Sequence, residues 1–170
     1  MIIIGYPGIG KSTVCGRDTG IIDLESSYFS QFGENWERNY VKLALELNRA
    51  GFDVCVSSHE KVIDDLILMT MPDDNVIAIF PDKSLKKLWI KKLDSRWRSS
   101  AGEGLPRYIV DKNERALERA EKYFDKDISM LMAIPSPFYE YHIMQMDYDL
   151  LDIIRAFKKT REAEKNGKPE

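Results

Sequence analysis

A glycine-rich segment near the amino end carries the residues best suited to chemistry. Residues 5–12 read GYPGIGKS, which fits the spacing G-x-x-x-x-G-K-[ST], and they follow the apolar run IIIG. Glycines in this spacing let backbone N–H groups turn toward phosphate oxygens, because no side chain obstructs the approach. A lysine here can reach terminal phosphates, and the following hydroxyl can bind Mg²⁺. The spacing therefore predicts a polyphosphate cradle made of Tyr6, Pro7, Gly8, Ile9, Gly10, Lys11, Ser12 and Thr13.

This segment also has a plainer interpretation, as a turn that only joins a strand to a helix. The role of Thr13 also has two interpretations, because its side chain could contact an α-phosphate or simply cap the helix. The apolar run before the glycines and the helical residues after them favour the phosphate cradle.

Two acids follow the next apolar run, in IIDLE, and either carboxylate could serve a phosphoryl-transfer site. Asp23 could take a proton from an acceptor hydroxyl; with a phosphate acceptor it would orient a sugar hydroxyl or hold Mg²⁺ through water. Asp23 and Glu25 could instead only cap a helix at Ser26 or Ser27. We predict that Asp23 is catalytic and that it holds the metal together with Ser12, and we leave Glu25 open.

These segments together resemble the P-loop nucleoside and nucleotide kinase superfamily. GYPGIGKST is similar to the start of small kinases, including polynucleotide kinases. IIDLESSYF is similar to the second strand of shikimate, gluconate and polynucleotide kinases, and the later VSSH and a basic helix resemble small kinase-like proteins of phages. The resemblance implies a three-layer P-loop NTPase fold with a small lid, ATP as the donor, Mg²⁺, and an acid of the second strand facing the acceptor or the metal.

A basic stretch, KSLKKLWIKKLDSRWRSS, follows the fourth apolar run. Residues 83–107 hold eight Lys or Arg against two acids. In the resembling kinases the lid follows the fourth strand and carries arginines, which implies that Arg96 and Arg98 stabilise charge on the transferring group. We predict these two as catalytic residues in a lid at about residues 95–110, and we leave Arg107 open. The neighbouring lysines fit a solvated helix face better: Lys86, Lys87, Lys91 and Lys92.

Other residues could line an acceptor pocket, but each has an ordinary structural explanation. Arg38 could hold a phosphate, and three aromatic residues could stack on a base or belong to the core: Tyr28, Phe29 and Trp36. At the end of the third apolar run, VCVSSH offers Ser58 and His59 where many P-loop proteins carry a Walker-B aspartate. These two residues could line the site or cap the next helix.

Short apolar runs that alternate with helical periodicity predict an α/β domain with a five-stranded, mostly parallel sheet. Continuous runs such as VIAIF are typical of strands covered on both faces. We expect the strand order 2-3-1-4-5 that the resemblance implies, with helices on the sheet. The predicted strands cover residues 2–5, 20–24, 52–57, 76–80 and 139–146, and the predicted helices cover about 36–50, 60–69, 85–97, 111–128 and 149–159.

Length and composition suit one domain, because 170 residues with 44% hydrophobic residues can bury one core. We expect the domain to span residues 1–160, with a charged tail at 161–170. The segment SSAGEGLPRY at 99–108 is the predicted mobile insert, because two glycines and a proline interrupt the helical pattern there.

Charge and cysteine usage favour a cytoplasmic protein without a membrane partner. The net charge of −3 gives no overall sign of a nucleic-acid or membrane partner. Two cysteines and two histidines lack the spacing of a disulfide framework or a zinc site. No apolar run approaches the roughly 18 residues that a membrane helix needs.

These observations and the resemblance imply a phosphotransferase. It would move the γ-phosphate of ATP to a nucleoside, to a nucleotide such as a deoxynucleoside monophosphate, or to a nucleic-acid end. Two alternatives stay open. One is a small-metabolite kinase of the shikimate or gluconate type, which ranks lower because those families usually carry extra arginines near the acceptor and Arg38 is the only obvious one here. The other is a non-catalytic nucleotide-binding module, which the missing Walker-B acid allows.

Overall fold

The computed structural model describes residues 1–71, 73–135 and 137–166. Its centre is a five-stranded sheet in which neighbouring strands pair in parallel in the order β2-β3-β1-β4-β5. The predicted parallel sheet and its strand order are confirmed. The strands are β1 (Ile2–Gly5), β2 (Ile21–Asp23), β3 (Asp53–Ser57), β4 (Val76–Pro81) and β5 (Tyr139–Ile143).

Helices flank this sheet, and they include the five that periodicity predicts, two of them within one residue of both predicted ends. In the helix predicted at about residues 36–50, Tyr40 and Ala44 lie on the buried face, and Gly51 follows its end with a φ of 100°. A short 3-10 turn covers Lys83–Leu85. The helices are α1 (Lys11–Cys15), α2 (Ser26–Phe29), α3 (Trp36–Arg49), α4 (Glu60–Met69), α5 (Lys86–Gly102), α6 (Arg107–Leu131) and α7 (Leu150–Asn166).

The break between α5 and α6 is shorter than the sequence predicts. Most of the predicted insert at 99–108 is helical, and only residues 103–106 interrupt the helices. Gly104, at a φ of 65°, and Pro106 account for this turn. The sixth helix therefore begins at Arg107 rather than near Asp111, and the two residues form an ion pair at 3.8 Å within its first turn.

The last helix continues beyond the predicted end at residue 159. It runs to Asn166, so the structure gives residues 161–166 of the predicted tail a helical conformation, and residues 167–170 lie outside the described part. Arg161 explains part of this extension. Its Nε donates to Asn75 Oδ1 at 3.2 Å, and its guanidinium lies 4.6 Å from the ring centre of Tyr139.

The core lies on both faces of the central strands. The side chains of β1 and β3 are almost fully buried, as are those of β4, which agrees with their continuous apolar sequences. None of the helices in the described residues combines the length and apolarity needed to cross a lipid bilayer. The carboxyl ends of the parallel strands all meet at one edge of the sheet, where Gly5 lies beside Ser57 and Asp23 beside Cys55.

Candidate functional site

A cavity of about 1520 Å³ opens at this edge of the sheet. Its walls come from residues 5–12, from the ends of β2 and β3, from α5 and α6, and from the segment after β5. Eight Lys or Arg and four Asp or Glu line it in a chain whose net charge is −3. The cavity therefore concentrates positive charge and suits an anionic ligand. The lining charges are Lys11, Arg17, Lys92, Arg96, Lys112, Arg115, Arg119 and Lys122, with Asp23, Glu25, Glu118 and Asp149.

Residues 5–12, here called the glycine loop, connect β1 to α1 in a conformation that requires glycine at two points. The φ angles of Gly8 and Gly10 are 89° and 100°. A Cβ atom on Gly8 would also lie 2.9 Å from Leu93 Cδ2, whereas one on Gly10 would meet no atom within 4 Å. The loop thus packs against α5 at Gly8 and leaves open space at Gly10, where a ligand can approach the backbone.

Lys11 begins α1 and folds back over the loop. Its Nζ donates to the carbonyl oxygen of Gly5 at 2.8 Å. Burial lowers the pKa of Lys11, and the nearby Asp23 carboxylate opposes this shift. An enclosed ammonium group with a carbonyl partner is well placed to exchange that partner for a phosphate oxygen.

Ser12 and Asp23 form a pair of oxygen ligands beside the loop. The Ser12 hydroxyl donates to Asp23 Oδ2 at 2.6 Å. Across the described parts of the chain, no cluster of three or more His, Cys, Asp or Glu could hold a metal by itself. Mg²⁺ fits this arrangement, because it prefers oxygen, keeps several waters and takes other ligands from bound phosphates.

Tyr40 fixes the ends of the two strands that carry these groups. Its side chain is fully buried, and its hydroxyl donates to the Leu24 carbonyl at 2.7 Å and accepts from the Ser57 N–H at 2.9 Å. The residue after β2 and the last residue of β3 are therefore tied together by one side chain. The two hydrogen bonds thus link the strand end that carries Asp23 to β3, which pairs with the strand that leads into the glycine loop.

The structure brings one of the two predicted catalytic arginines to the cavity. Arg96 lines it, and the charges of Asp23 and Glu25 act on the Arg96 guanidinium, whose pKa is lowered mainly by desolvation. Arg98 does not line it and forms an ion pair with Asp94 at 2.9 Å. Two residues along a helix correspond to a rotation of about 200°, so the two side chains point in nearly opposite directions.

The sequence left the roles of several other residues undecided, and only some of these residues line the cavity. Ser58 and His59 line the cavity. The pKa of His59 is lowered by desolvation and by the charges of Arg119 and Lys11, which favours the neutral ring. Glu25 accepts from the Ser27 N–H at 3.4 Å, as the capping interpretation expects, and it also pairs with Lys112 across the cavity.

Two arginines whose roles the sequence left undecided, Arg38 and Arg107, are exposed and lie outside the cavity lining, whereas Tyr28 and Trp36 belong to the lining. Phe29 packs against the Tyr40 ring at 5.2 Å.

Tyr6 and Thr13 contribute to the predicted cradle in different ways. Tyr6 is 1% exposed, and its ring meets Phe124 edge-on at 5.6 Å, so its side chain belongs to the core. Its backbone N–H donates to the Ile79 carbonyl at 3.1 Å, which attaches the loop to β4. Thr13 is exposed in the short α1 and lines the cavity.

Sequence reasoning missed the cationic face of α6. Its four lining cations recur at intervals of three and four residues, which places them on one side of a helix. This spacing was readable in the sequence, but it became informative only once α6 was known to border the cavity. The four residues are Lys112, Arg115, Arg119 and Lys122.

Sequence reasoning also missed a pair of stacked aromatic side chains beside the glycine loop, with a hydrogen bond to the loop. Trp89 is fully buried, and its Nε1 donates to the Pro7 carbonyl at 2.9 Å. The Tyr148 and Trp89 rings are stacked with their centres 6.1 Å apart, and the Lys92 ammonium lies 4.4 Å from the centre of the Trp89 ring. Nothing in the local sequence distinguishes Trp89 from an ordinary core residue.

No protein-family model matches the chain, and no curated protein matches it significantly. A functional assignment must therefore come from the geometry of the cavity. That geometry combines an open glycine loop, a half-buried ammonium group, a hydroxyl–carboxylate pair and a cationic wall.

Proposed function

We propose that this protein is an ATP-dependent P-loop phosphotransferase whose acceptor is a nucleoside, a nucleotide or a nucleic-acid end. The observation that carries the proposal is the meeting of Lys11, Ser12 and Asp23 at the glycine loop, inside a cavity with a positive wall. The parallel sheet with β1 at its centre is compatible with a P-loop fold.

The glycine loop would hold the β- and γ-phosphates of ATP. Its backbone N–H groups would face the phosphate oxygens, and Lys11 would leave the Gly5 carbonyl to contact the terminal phosphates. Ser12 and Asp23 would hold Mg²⁺, which, when bound, neutralises charge on the phosphates.

The acceptor would enter from the side of Asp23 and α6. Asp23 would take the proton of an acceptor hydroxyl, or orient a sugar hydroxyl if the acceptor group is a phosphate. Arg96 would stabilise the charge that spreads over the transferring oxygens. The cationic wall favours a negatively charged acceptor, which supports a nucleotide or a nucleic-acid end over an uncharged nucleoside.

The decisive experiment is an acceptor screen with a Lys11→Ala variant. The protein is mixed with Mg-ATP and with nucleosides, nucleotides and oligonucleotides, and acceptor-dependent ADP release is measured. We expect Lys11→Ala to lower this rate by about a hundredfold or more, because the lysine stabilises phosphate charge. Its circular dichroism and thermal transition should remain those of the parent protein.

Lys87→Ala is the matched control, since Lys87 is an exposed lysine of α5 outside the cavity lining. It should keep the parent rate. A Lys11→Ala variant that transfers phosphate as fast as the parent would contradict the mechanism. ATP binding without ADP release for any acceptor would instead identify a regulatory module.

A further inference from the structure

The cavity extends along α6 well beyond the glycine loop. Residues from Tyr108 to Tyr123 line it, a distance of about 22 Å along the helix axis. Its volume of about 1520 Å³ exceeds the roughly 300–1,000 Å³ of ordinary small-molecule pockets. The part that borders α6 therefore has room for a ligand longer than one nucleotide.

Several cations that face this space have no acidic partner. Arg115 and Lys122 of α6, with Lys92 and Arg96 of α5, form no ion pair within the described residues. By contrast, Arg119 is held by Asp127 through two hydrogen bonds, and Lys112 by Glu25. Glu118 is the one acid that α6 contributes to the lining. Unpaired cations along a helix suit a ligand with repeated negative charges.

Aromatic rings and a buried amide accompany these cations. Tyr108 is 63% exposed and Tyr123 is 43% exposed, and both line the cavity from α6, while Tyr28 lines it from α2. Exposed rings beside cations provide stacking surfaces for nucleic-acid bases. Asn113 also lines the cavity and is 4% exposed, yet its Oδ1 has no hydrogen-bond partner among the described residues.

We propose that α6 binds a single-stranded nucleic acid, whose terminal hydroxyl is then the acceptor of the phosphoryl group. This inference rests on the proposed function and names its acceptor. A stacked strand rises about 3.4 Å per nucleotide along its axis, so a wall of about 22 Å spans about six nucleotides. An acidic peptide would use the cations but not the exposed tyrosine rings.

The transfer step balances without a further reactant. The terminal hydroxyl oxygen forms a bond to the γ-phosphorus, and the bond from that phosphorus to the bridging oxygen breaks. ADP leaves with that electron pair, and the hydroxyl proton passes to Asp23 and then to water.

Strand binding is tested by fluorescence anisotropy without any nucleotide, so that it does not depend on catalysis. The probe is an eight-residue thymidine oligonucleotide with a 3′ fluorescein, and the competitors are a dinucleotide and thymidine monophosphate. The four unpaired cations predict a slope of roughly −3 for the logarithm of the binding constant against the logarithm of salt concentration. We expect the octamer to bind at least tenfold more tightly than either competitor.

The test variant is Arg115→Ala/Lys122→Ala, and Lys87→Ala/Lys91→Ala is its control. Both remove two exposed lysine or arginine charges, but the control residues lie outside the lining. We expect the test variant to lose about tenfold in affinity at low salt and to reduce the slope to roughly −1.4. The control should match the parent protein.

Two results would overturn the inference. One is an octamer that binds no more tightly than thymidine monophosphate, and the other is equal binding by the two double variants. If a mononucleotide still supports ADP release in that case, the proposed function stands without the strand site. If the octamer binds as expected but no acceptor supports ADP release, the strand site stands and the proposed function fails.

Discussion

At the scale of single residues, burial and neighbouring groups determine the pKa values of side chains in and near the cavity. Lys11 is an example: burial lowers its pKa, Asp23 opposes the shift, and the Gly5 carbonyl is its hydrogen-bond partner. Cys15 and Cys55 are another, since they lie forty residues apart in sequence but each thiol shifts the pKa of the other. The properties of these groups follow from contacts between separate segments of the chain.

We expect Cys15 to react with iodoacetamide at a lower pH than an ordinary cysteine. The neighbouring Cys55 thiol lowers the pKa of Cys15, whereas the Cys15 thiol and burial raise the pKa of Cys55. Because the thiolate is the reacting form, the rate should rise at a pH below the usual thiol pKa of about 8.5. Mass spectrometry of the alkylated protein over a pH series measures this.

Cys55→Ala is the informative variant for that reaction. It removes the neighbouring thiol and should move the alkylation profile of Cys15 back toward higher pH. A Cys15→Ser variant gives the background rate of Cys55. Identical pH profiles for the parent and Cys55→Ala would show that the thiol pair does not control the reactivity of Cys15.

At the scale of elements, α5 and the glycine loop form one unit. Gly8 packs against Leu93, and Trp89 donates to the Pro7 carbonyl, so two side chains of α5 support the loop from below. The same helix turns Lys92 and Arg96 into the cavity. A change in the packing of α5 would therefore reach both the loop and the cationic wall. Closure of the turn between α5 and α6 over a ligand stays a prediction.

We expect Trp89→Phe to weaken stability and nucleotide binding together. Phenylalanine keeps most of the ring packing but removes the donor to Pro7, which leaves a partly buried carbonyl without its partner. The free energy of unfolding should fall by about 1–3 kcal/mol. Chemical denaturation and a titration with an ATP analogue measure the two effects.

Trp97→Phe is the control for this substitution, because Trp97 is a partly buried residue of α5 that does not line the cavity. It should lower stability without changing nucleotide affinity. An unchanged affinity in Trp89→Phe would mean that the loop keeps its conformation without this hydrogen bond.

At the scale of the whole molecule, the cavity joins segments that are distant in the sequence. Glu25, at the start of α2, pairs with Lys112 of α6 across the cavity. Arg17, after α1, binds Asp149 through two hydrogen bonds at 2.8 and 3.0 Å. These contacts connect the two halves of the chain around the site.

We expect Lys112→Met to reduce the pH dependence of stability in mild acid. Burial alone would raise the pKa of Glu25, but the hydrogen bond and the charge of Lys112 outweigh it, so that the pKa is lowered. A lowered carboxyl pKa stabilises the folded state at pH values above the ordinary carboxyl pKa of about 4.5. This contribution to stability is lost as the pH falls through the lowered pKa. The variant lacks that contribution, which is at most about 1 kcal/mol for a partly exposed pair.

Urea denaturation between pH 3 and pH 7 measures this difference. The parent and Lys112→Met should differ most near neutral pH and converge in acid. Lys126→Met is the control on the same helix, because Lys126 forms only an exposed pair with Glu60 at 3.9 Å. A constant difference between the parent and Lys112→Met over the whole range would contradict the role of Glu25.

Local patterns account for the features that could be predicted. Strands buried on both faces need continuous apolar runs, so β1, β3 and β4 were visible in the sequence. The strand order followed from the resemblance that the glycine loop suggested, and the structure confirms that order. The extent of α6 was not predicted, because two glycines and a proline at 99–108 favour a longer interruption than the turn at 103–106.

The strands, the glycine loop and the basic segment could be predicted, because each depends on residues that are neighbours along the chain. Which cations face the cavity depends instead on how the helices pack in the folded protein. Arg96 and Arg98 are equivalent in sequence, but the rotation of α5, set by the burial of Trp89 and Leu93, turns one inward and the other outward. Likewise, the opposite side of α6 is held in the core, and this packing directs its cations toward the site.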